Sequence, residues 1–207
     1  MWACRQCSRV FAGLGVKNQR CAECLRMKPA FDCAVAPFWA GGVVRQVVHQ
    51  YKYGGKRHLG MLLSEWLGEG WRDERLRDPP ADLLVPVPLH WWKRHRRGFN
   101  QAEDLAVRLQ RNVSGGGAGA AEPAGGPRVL TALRRVRWTD SQTTLGRAER
   151  LENLRGVFAV TRGAPIEGRH VLLVDDVLTT GATLDACARV LRKGGVASVR
   201  ALAVARG

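Results

Sequence analysis

The segment Val171 to Leu184, VLLVDDVLTTGATL, sets an apolar run, two adjacent carboxylates and a hydroxyl-rich loop within fourteen residues. Adjacent carboxylates accept hydrogen bonds from a vicinal diol such as ribose O2 and O3, which makes Asp175 and Asp176 candidate sugar ligands. Thr179, Thr180, Gly181, Ala182 and Thr183 add hydroxyls and little bulk. Successive backbone N–H groups in such a loop close around a phosphate, and the positive end of a following helix reinforces them. The combination suits recognition of a sugar phosphate. A second group of chemistry-bearing residues lies near the other end of the sequence, where Cys4-x-x-Cys7 and Cys21-x-x-Cys24 are separated by 13 residues. Two such pairs specify one tetrahedral zinc site in a ribbon or knuckle, and four thiolates leave no open position, so the site is structural. The segment MWACRQC carries no apolar signal stretch. Reduced thiols and a cytoplasmic location are the expectation. Cys33 and Cys187 have no partner at ligand spacing and read as buried packing residues.

Elements must position these groups. Val171 to Val174 is the β-favouring run of a central parallel strand with both faces buried, which puts Asp175 and Asp176 at its carboxyl end. Open α/β sheets bind ligands at that edge. A helix is expected from Leu184 to Lys193, stopped by Gly194 and Gly195. Upstream, Ala34 to Trp39 reads as a strand, and Val44, Val47, Val48 and Tyr51 form one apolar helical face. Lys52 to Lys56 then makes a basic turn that either solvates the helix end or contacts phosphate or nucleic acid. Met61 to Trp71 is a helix whose Leu62, Leu63, Trp66 and Leu67 face the core, and Leu83 to Pro88 is a strand. Lys93, Arg94, His95, Arg96 and Arg97 form a basic loop, after which Asn100 caps a helix with Glu103 reaching back as in a capping box. Asn112 to Pro127, NVSGGGAGAAEPAGGP, cannot bury a core and reads as a linker excursion. Strands are expected near Val129 to Leu133, Val157 to Val160 and Val199 to Val204. The outcome is an α/β domain over residues 31–207 with a small metal module at 1–30.

Composition narrows the function classes. With 45% apolar residues over 207 positions, one α/β domain with an appendage can bury a core. The longest apolar runs are a few residues, far below the roughly 20 that cross a bilayer, so membrane insertion is excluded. The net charge of +15 raises the local concentration of polyphosphates and of nucleic acid alike. No Gly-x-x-x-x-Gly-Lys-Ser/Thr loop occurs, which disfavours a P-loop ATPase, and too little chain follows Asp176 for a phosphoacceptor receiver domain. His49, His58, His90, His95 and His170 are general-base candidates by type, and spacing singles out none of them.

Two acids, a short apolar pair and a Thr/Gly-rich loop resemble the PRPP-binding motif of the type I phosphoribosyltransferases. That resemblance implies that Asp175 and Asp176 hold the ribose hydroxyls and that Thr179 to Thr183 hold the 5′-phosphate. Thr179 stands where purine-salvage members often carry an acidic base, so a purine-salvage reaction is disfavoured. With the cysteine pairs in front, the chain resembles the ComF family of competence-related proteins, including its ComFC and GntX groups. The likeness runs through His49-Gln50-Tyr51-Lys52-Tyr53-Gly54-Gly55, Val85-Pro86-Val87-Pro88, and Arg97-Gly98-Phe99-Asn100-Gln101-Ala102. It continues through Thr139, Gln142 and Leu145, then Arg150 and Asn153, then Gly156 and Phe158.

The resemblance implies a type I phosphoribosyltransferase sheet, PRPP with Mg2+, Arg97 in a pyrophosphate-binding loop, and a lid over Arg134 to Arg155, a segment whose residues also read as a solvated helical surface. It implies transfer of a phosphoribosyl group to a nitrogen acceptor. A competing class is a binding protein: a non-catalytic phosphoribosyl, phosphate or nucleotide sensor, or, as the link to competence implies, a handler of single-stranded DNA with Trp91 and Trp92 as stacking platforms, or a zinc-ribbon module docking on DNA-uptake machinery.

Overall fold

The computed structural model describes residues 3–11, 19–114, 126–137 and 154–207. Its centre is a pair of nine-residue strands, His170–Leu178, rich in Val and Leu, and Ser198–Arg206, rich in Ala and Val. Numbered in chain order, the strands are β1 Cys33–Val35, β2 Phe38–Trp39, β3 Leu83–Pro86, β4 Arg128–Val129, β5 Leu133–Arg135, β6 Phe158–Val160, β7 His170–Leu178 and β8 Ser198–Arg206. The helices are α1 Ala22–Met27, α2 Gly42–Tyr53, α3 Leu59–Trp71, α4 Trp91–Arg97, α5 Gln101–Val113 and α6 Ala182–Lys193. The main sheet is parallel in the order β1, β8, β7, β3, β4, with β2 extending the β1 edge along β8. β5 and β6 form a separate antiparallel pair.

Period-two alternation sorts the central strands between two cores. Val171 and Leu173 enter a core with Phe158, Leu184, Cys187 and Leu191, under α6 and the β5–β6 pair. Leu172 and Val174 enter the other, with Tyr51, Leu63, Leu67, Leu105 and Leu109 of α2, α3 and α5. Parallel strands need crossovers, crossovers carry helices, and helices on both faces explain why β7 and β8 are apolar on both sides. Truncating Leu173, which is fully buried, to Ala would cost about 2–5 kcal/mol.

Several boundaries differ from the sequence reading, for local reasons. Ala34 to Trp39 is two short strands, because Pro37 has no N–H to give the ladder. The basic run Lys93 to Arg97 is helical rather than a loop. The His90 side chain accepts from Trp92 N at 3.2 Å to start α4, no Gly or Pro interrupts the run, and Gly98 at φ 78° ends it. β3 stops at Pro86, and the stretch near Val129 to Leu133 divides between β4, which extends the main sheet, and β5, which turns away to β6. β8 runs on to Arg206. Asn100 caps α5 by accepting from Ala102 N at 3.2 Å, while Glu103 lies 3.5 Å from Arg94 instead of reaching back to the cap. α6 ends at Gly194, with Gly195 at φ 84°. Of the expected linker, Asn112 and Val113 complete α5, and 115–125 lie outside the described residues. Residues 138–153, including Thr139, Gln142, Thr143 and Thr144 of the expected lid, also lie outside them. Among the described residues no helix is long and apolar enough to cross a membrane.

Candidate phosphoribosyl site and cysteine cluster

β7 runs four residues beyond Val174, so Asp175 and Asp176 sit within its carboxyl-terminal part. Strand alternation gives each acid its own side. The Asp176 carboxylate is buried, and Lys52 at the end of α2 brings Nζ to 2.7 Å from its Oδ1. Burial alone would lower the Lys52 pKa, but the Asp176 charge outweighs it and holds the ammonium above its ordinary value. Asp175 is half-buried and accepts Asp176 N at 2.8 Å through Oδ1. Desolvation first, and repulsion by Asp176 second, push its pKa up to about 7. The strand end therefore carries one ion-paired carboxylate and one that titrates near neutrality.

The expected five-residue loop is shorter than its sequence suggested, since α6 begins at Ala182. Thr179, Thr180 and Gly181 make the turn. Gly181 adopts φ 80°, which favours glycine, and Thr180 Oγ1 accepts from Ala182 N at 3.3 Å. Ala182 and Thr183 occupy the first helical turn, where N–H groups lack intrahelical acceptors and can meet a phosphate. Arg206 braces this turn from below. It is buried and donates Nη1 to the carbonyls of Leu178, at 2.9 Å, of Thr179 and of Gly207, while Nε donates to Cys7 O at 3.2 Å. One guanidinium thus ties the cysteine module to the loop beside the acids.

A cavity of about 420 Å³ adjoins Lys52 and is lined by Tyr51, Tyr53, Trp92, Arg96, Arg97 and Phe99. Arg97 stacks its guanidinium 4.5 Å from the Tyr53 ring centroid and donates Nη2 to the Tyr53 hydroxyl at 2.6 Å. α4 thereby brings Arg97 to the α2 end that carries Lys52. Of the histidines, His49 sets its ring 5.0 Å from that of Tyr53 on the cavity wall, while two others are otherwise placed. His170 faces Ser198 Oγ at 2.9 Å, at the opposite end of β7 from the acids, and His90 caps α4. Sequence offers Lys52 only as part of a basic turn, with no sign of its pairing with Asp176, and gives no signal for Arg206.

Cys4, Cys7, Cys21 and Cys24 are all buried, and their sulfurs lie within 4.8 Å of one another. Tetrahedral zinc with bonds of about 2.3 Å needs sulfurs about 3.8 Å apart. Cys7 and Cys21 meet that at 3.7 Å. Backbone N–H groups of Cys21 and Cys24 point at Cys4 Sγ and Cys21 Sγ, at 3.2 and 3.4 Å, as donors to thiolates do. Hydrogen bonding from Cys24 holds Cys4 far below the usual thiol range, and the same contact holds Cys24 far above it. Thiols crowded in this way share protons that a divalent cation would displace, so the donor set fits zinc. Cys33 and Cys187 lie apart in the two cores, where desolvation raises the first to about 11 and the second well above its ordinary value.

Residues 95–207 match the phosphoribosyl transferase domain family. Over 206 residues the chain is 30% identical to competence protein F of Haemophilus influenzae, covering 97% of this chain and 84% of that protein. It is 31% identical over 191 residues to DNA utilization protein YhgH of Escherichia coli K12, covering 90% and 77%. It is 24% identical over 212 residues to competence protein ComFC of Streptococcus pneumoniae, covering 98% and 87%. Among solved structures, a PRPP amidotransferase from B. subtilis aligns with TM-score 0.44 and 19% identity over 74% of this chain and 30% of its own. A hypoxanthine phosphoribosyltransferase from Staphylococcus aureus aligns with TM-score 0.38 and 16% identity over 68% and 61%. With a parallel sheet ending in paired acids and a four-cysteine cluster before it, the chain belongs to the phosphoribosyl transferase domain family and, along nearly its whole length, to the ComF group of competence and DNA utilization proteins.

Proposed function

We propose that the protein binds PRPP or a closely related phosphoribosyl compound at the carboxyl end of β7 and transfers the phosphoribosyl group to a nitrogen acceptor. One observation carries this reading: Asp175 and Asp176 stand at the tip of a buried parallel strand that turns through Thr179, Thr180 and Gly181 into α6. The acids accept the ribose hydroxyls, while Thr179, Thr180, Gly181, Ala182 and Thr183 enclose the 5′-phosphate. As pyrophosphate leaves C1, negative charge develops on the departing oxygen, and Arg97 supplies positive charge from α4. Magnesium carried on the ligand's own oxygens adds charge neutralisation when bound. Lys52, at 2.7 Å, holds the Asp176 carboxylate in place before the sugar arrives. Residues 1–30 serve as a structural zinc module and 31–207 as the transferase unit, in the cytoplasm, where the thiols stay reduced.

A second reading has its own support. Trp91 is 70% exposed and Trp92 44% exposed on α4, beside Arg94, Arg96 and Arg97. Aromatic faces among arginines suit single-stranded DNA, and the printed names of the relatives concern competence and DNA utilization. In this reading the phosphoribosyl site regulates a DNA-handling protein that docks on uptake machinery. Calorimetric titration of zinc-loaded protein with PRPP and magnesium separates the two. Saturable micromolar binding that Asp175→Ala, Asp176→Ala removes supports the transferase site, and a screen of acceptor bases follows. Absence of heat, with DNA binding that weakens steeply with salt, supports the second.

A further inference from the structure

At the amino-terminal edge of the sheet, opposite the acids, a cavity of about 650 Å³ opens between the cysteine module, the 3-10 turn Glu74–Leu76 and the first residues of β1 and β8. Its cations are Arg5, Arg75, Arg192 and Arg200. They are unequally engaged. Asp73 accepts from Arg75 through Nε at 2.8 Å and Nη2 at 2.7 Å, and Asp32 pairs with Arg192 at 2.5 Å. Arg200 lies in β8 between Val199 and Ala201, ahead of the apolar run Ala201 to Ala205, and is only 3% exposed. Its Nη2 donates to the Pro79 carbonyl, but its Nε and Nη1 have no acceptor among the described residues and are shut off from bulk water. A guanidinium stays ionised at any physiological pH, so two N–H donors that are neither hydrated nor paired leave a buried cation incompletely compensated. Burial accordingly depresses the Arg200 pKa. Arg5 stands exposed on the rim of the same cavity.

We infer that this cavity binds a phosphate group, inorganic or as a monoester, with Arg200 as the buried donor and Arg5 as the donor at the rim. The carboxylates choose the anion. Asp32 is already bound by Arg192 and by Val199 N, but Glu74 and Asp78 are exposed at the mouth. They repel an anion that only accepts hydrogen bonds, as sulfate does. Inorganic phosphate keeps a P–OH throughout the neutral range, and a monoester keeps one in the part of its population still protonated near its second pKa of about 6; that hydroxyl donates to a carboxylate while the other oxygens accept from arginine. Because Arg200 Nε and Nη1 are screened, binding includes a shift of the Pro79 segment that now holds Nη2. The site is independent of the proposed phosphoribosyl site, which lies at the other end of β7.

The test is calorimetric titration of the full-length, zinc-loaded protein with inorganic phosphate and, separately, with ribose 5-phosphate, for wild type and Arg200→Gln. Phosphate held by the Thr179 to Thr183 loop survives Arg200→Gln, so the difference between the two proteins isolates this cavity. We expect Arg200→Gln to weaken one class of phosphate site by at least about tenfold, and equal sulfate not to displace phosphate from that class. Inorganic phosphate alone showing the loss marks a free-anion site, and both ligands showing it marks a monoester site. Arg5→Ala, a surface change that leaves the fold intact, is expected to weaken the same class severalfold, which keeps the test valid if Arg200→Gln does not fold. Identical phosphate isotherms for wild type and Arg5→Ala, or displacement by sulfate at equal concentration, would overturn the assignment.

Discussion

The cysteine cluster and the end of β7 are held by different forces. Among the described residues, the buried apolar interior of the cysteine module is four thiols with Phe11 packed against them, beside the buried polar Gln6 and Ser8. That apolar surface is too small to offset the conformational entropy of even a short chain. The end of β7 instead rests on two extensive cores, one on each face of the sheet. The module should therefore depend on its metal and the strand end on packing, with Arg206 joining the two through Cys7 O and Thr179 O.

Metal removal should give the largest effect. Structural zinc sites in small modules carry about 10–16 kcal/mol of apparent binding free energy. Chelation, or Cys21→Ser, is expected to abolish amide protection over residues 3–11 and 19–28 while β7 and β8 remain protected in hydrogen exchange. Equal loss of protection in β7 would break the comparison, because it would make the module part of the sheet's cooperative unit.

Next in size is the ion pair at the strand end. Lys52→Ala leaves a buried carboxylate without its cation and is expected to destabilise the fold by about 3 kcal/mol in urea denaturation. The double variant Lys52→Met, Asp176→Leu should recover most of that loss, since both buried charges disappear together. Recovery of stability without recovery of PRPP binding would separate the structural work of this pair from its part in ligand binding.

Arg206 tests the join. Arg206→Gln keeps some donors but loses the charge, and hydrogen bonds from charged groups are worth about 1.5–3 kcal/mol. PRPP affinity should fall about tenfold, with zinc content by metal analysis unchanged. Loss of zinc with affinity preserved would reverse the direction in which the join is read, making Arg206 a support of the module rather than of the loop.

How far these features are legible in sequence follows the range of the contacts. The strand, the acids, the small-residue turn and both cysteine pairs are local patterns, and their types and spacing suffice to place them. In sequence α4 reads as a loop because its charge density suggests solvent exposure, whereas its start depends on a single side-chain acceptor, His90. Lys52 with Asp176, and Arg206 with Cys7, join residues remote in sequence, and nothing in either segment alone announces the partner. Arg200 and Arg206 were hidden in the same way. An apolar strand pattern tolerates an occasional charge at its ends, and only the surrounding elements decide whether that charge is exposed or buried.

The smallest expected effect concerns pH, and it acts on stability and affinity in opposite directions. The Asp175 pKa is raised from 3.8 to about 7, mainly by desolvation. The fold therefore holds that proton more tightly than the unfolded chain does. The group favours folding at low pH, and its contribution is lost as pH rises from about 4 to about 7. A ribose hydroxyl, however, donates more strongly to the ionised carboxylate, which accepts through both oxygens, than to the protonated acid. PRPP affinity should thus be about tenfold weaker at pH 6 than at pH 8, measured by titration calorimetry in buffers of equal ionic strength, although the protein itself is more stable at pH 6 through this group. Asp175→Asn, isosteric and uncharged, should flatten both trends. A variant that keeps the affinity trend would assign the titration to the ligand's own phosphates, leaving the pairing with Lys52, rather than burial of Asp175, as the feature that distinguishes the strand end from the cysteine module.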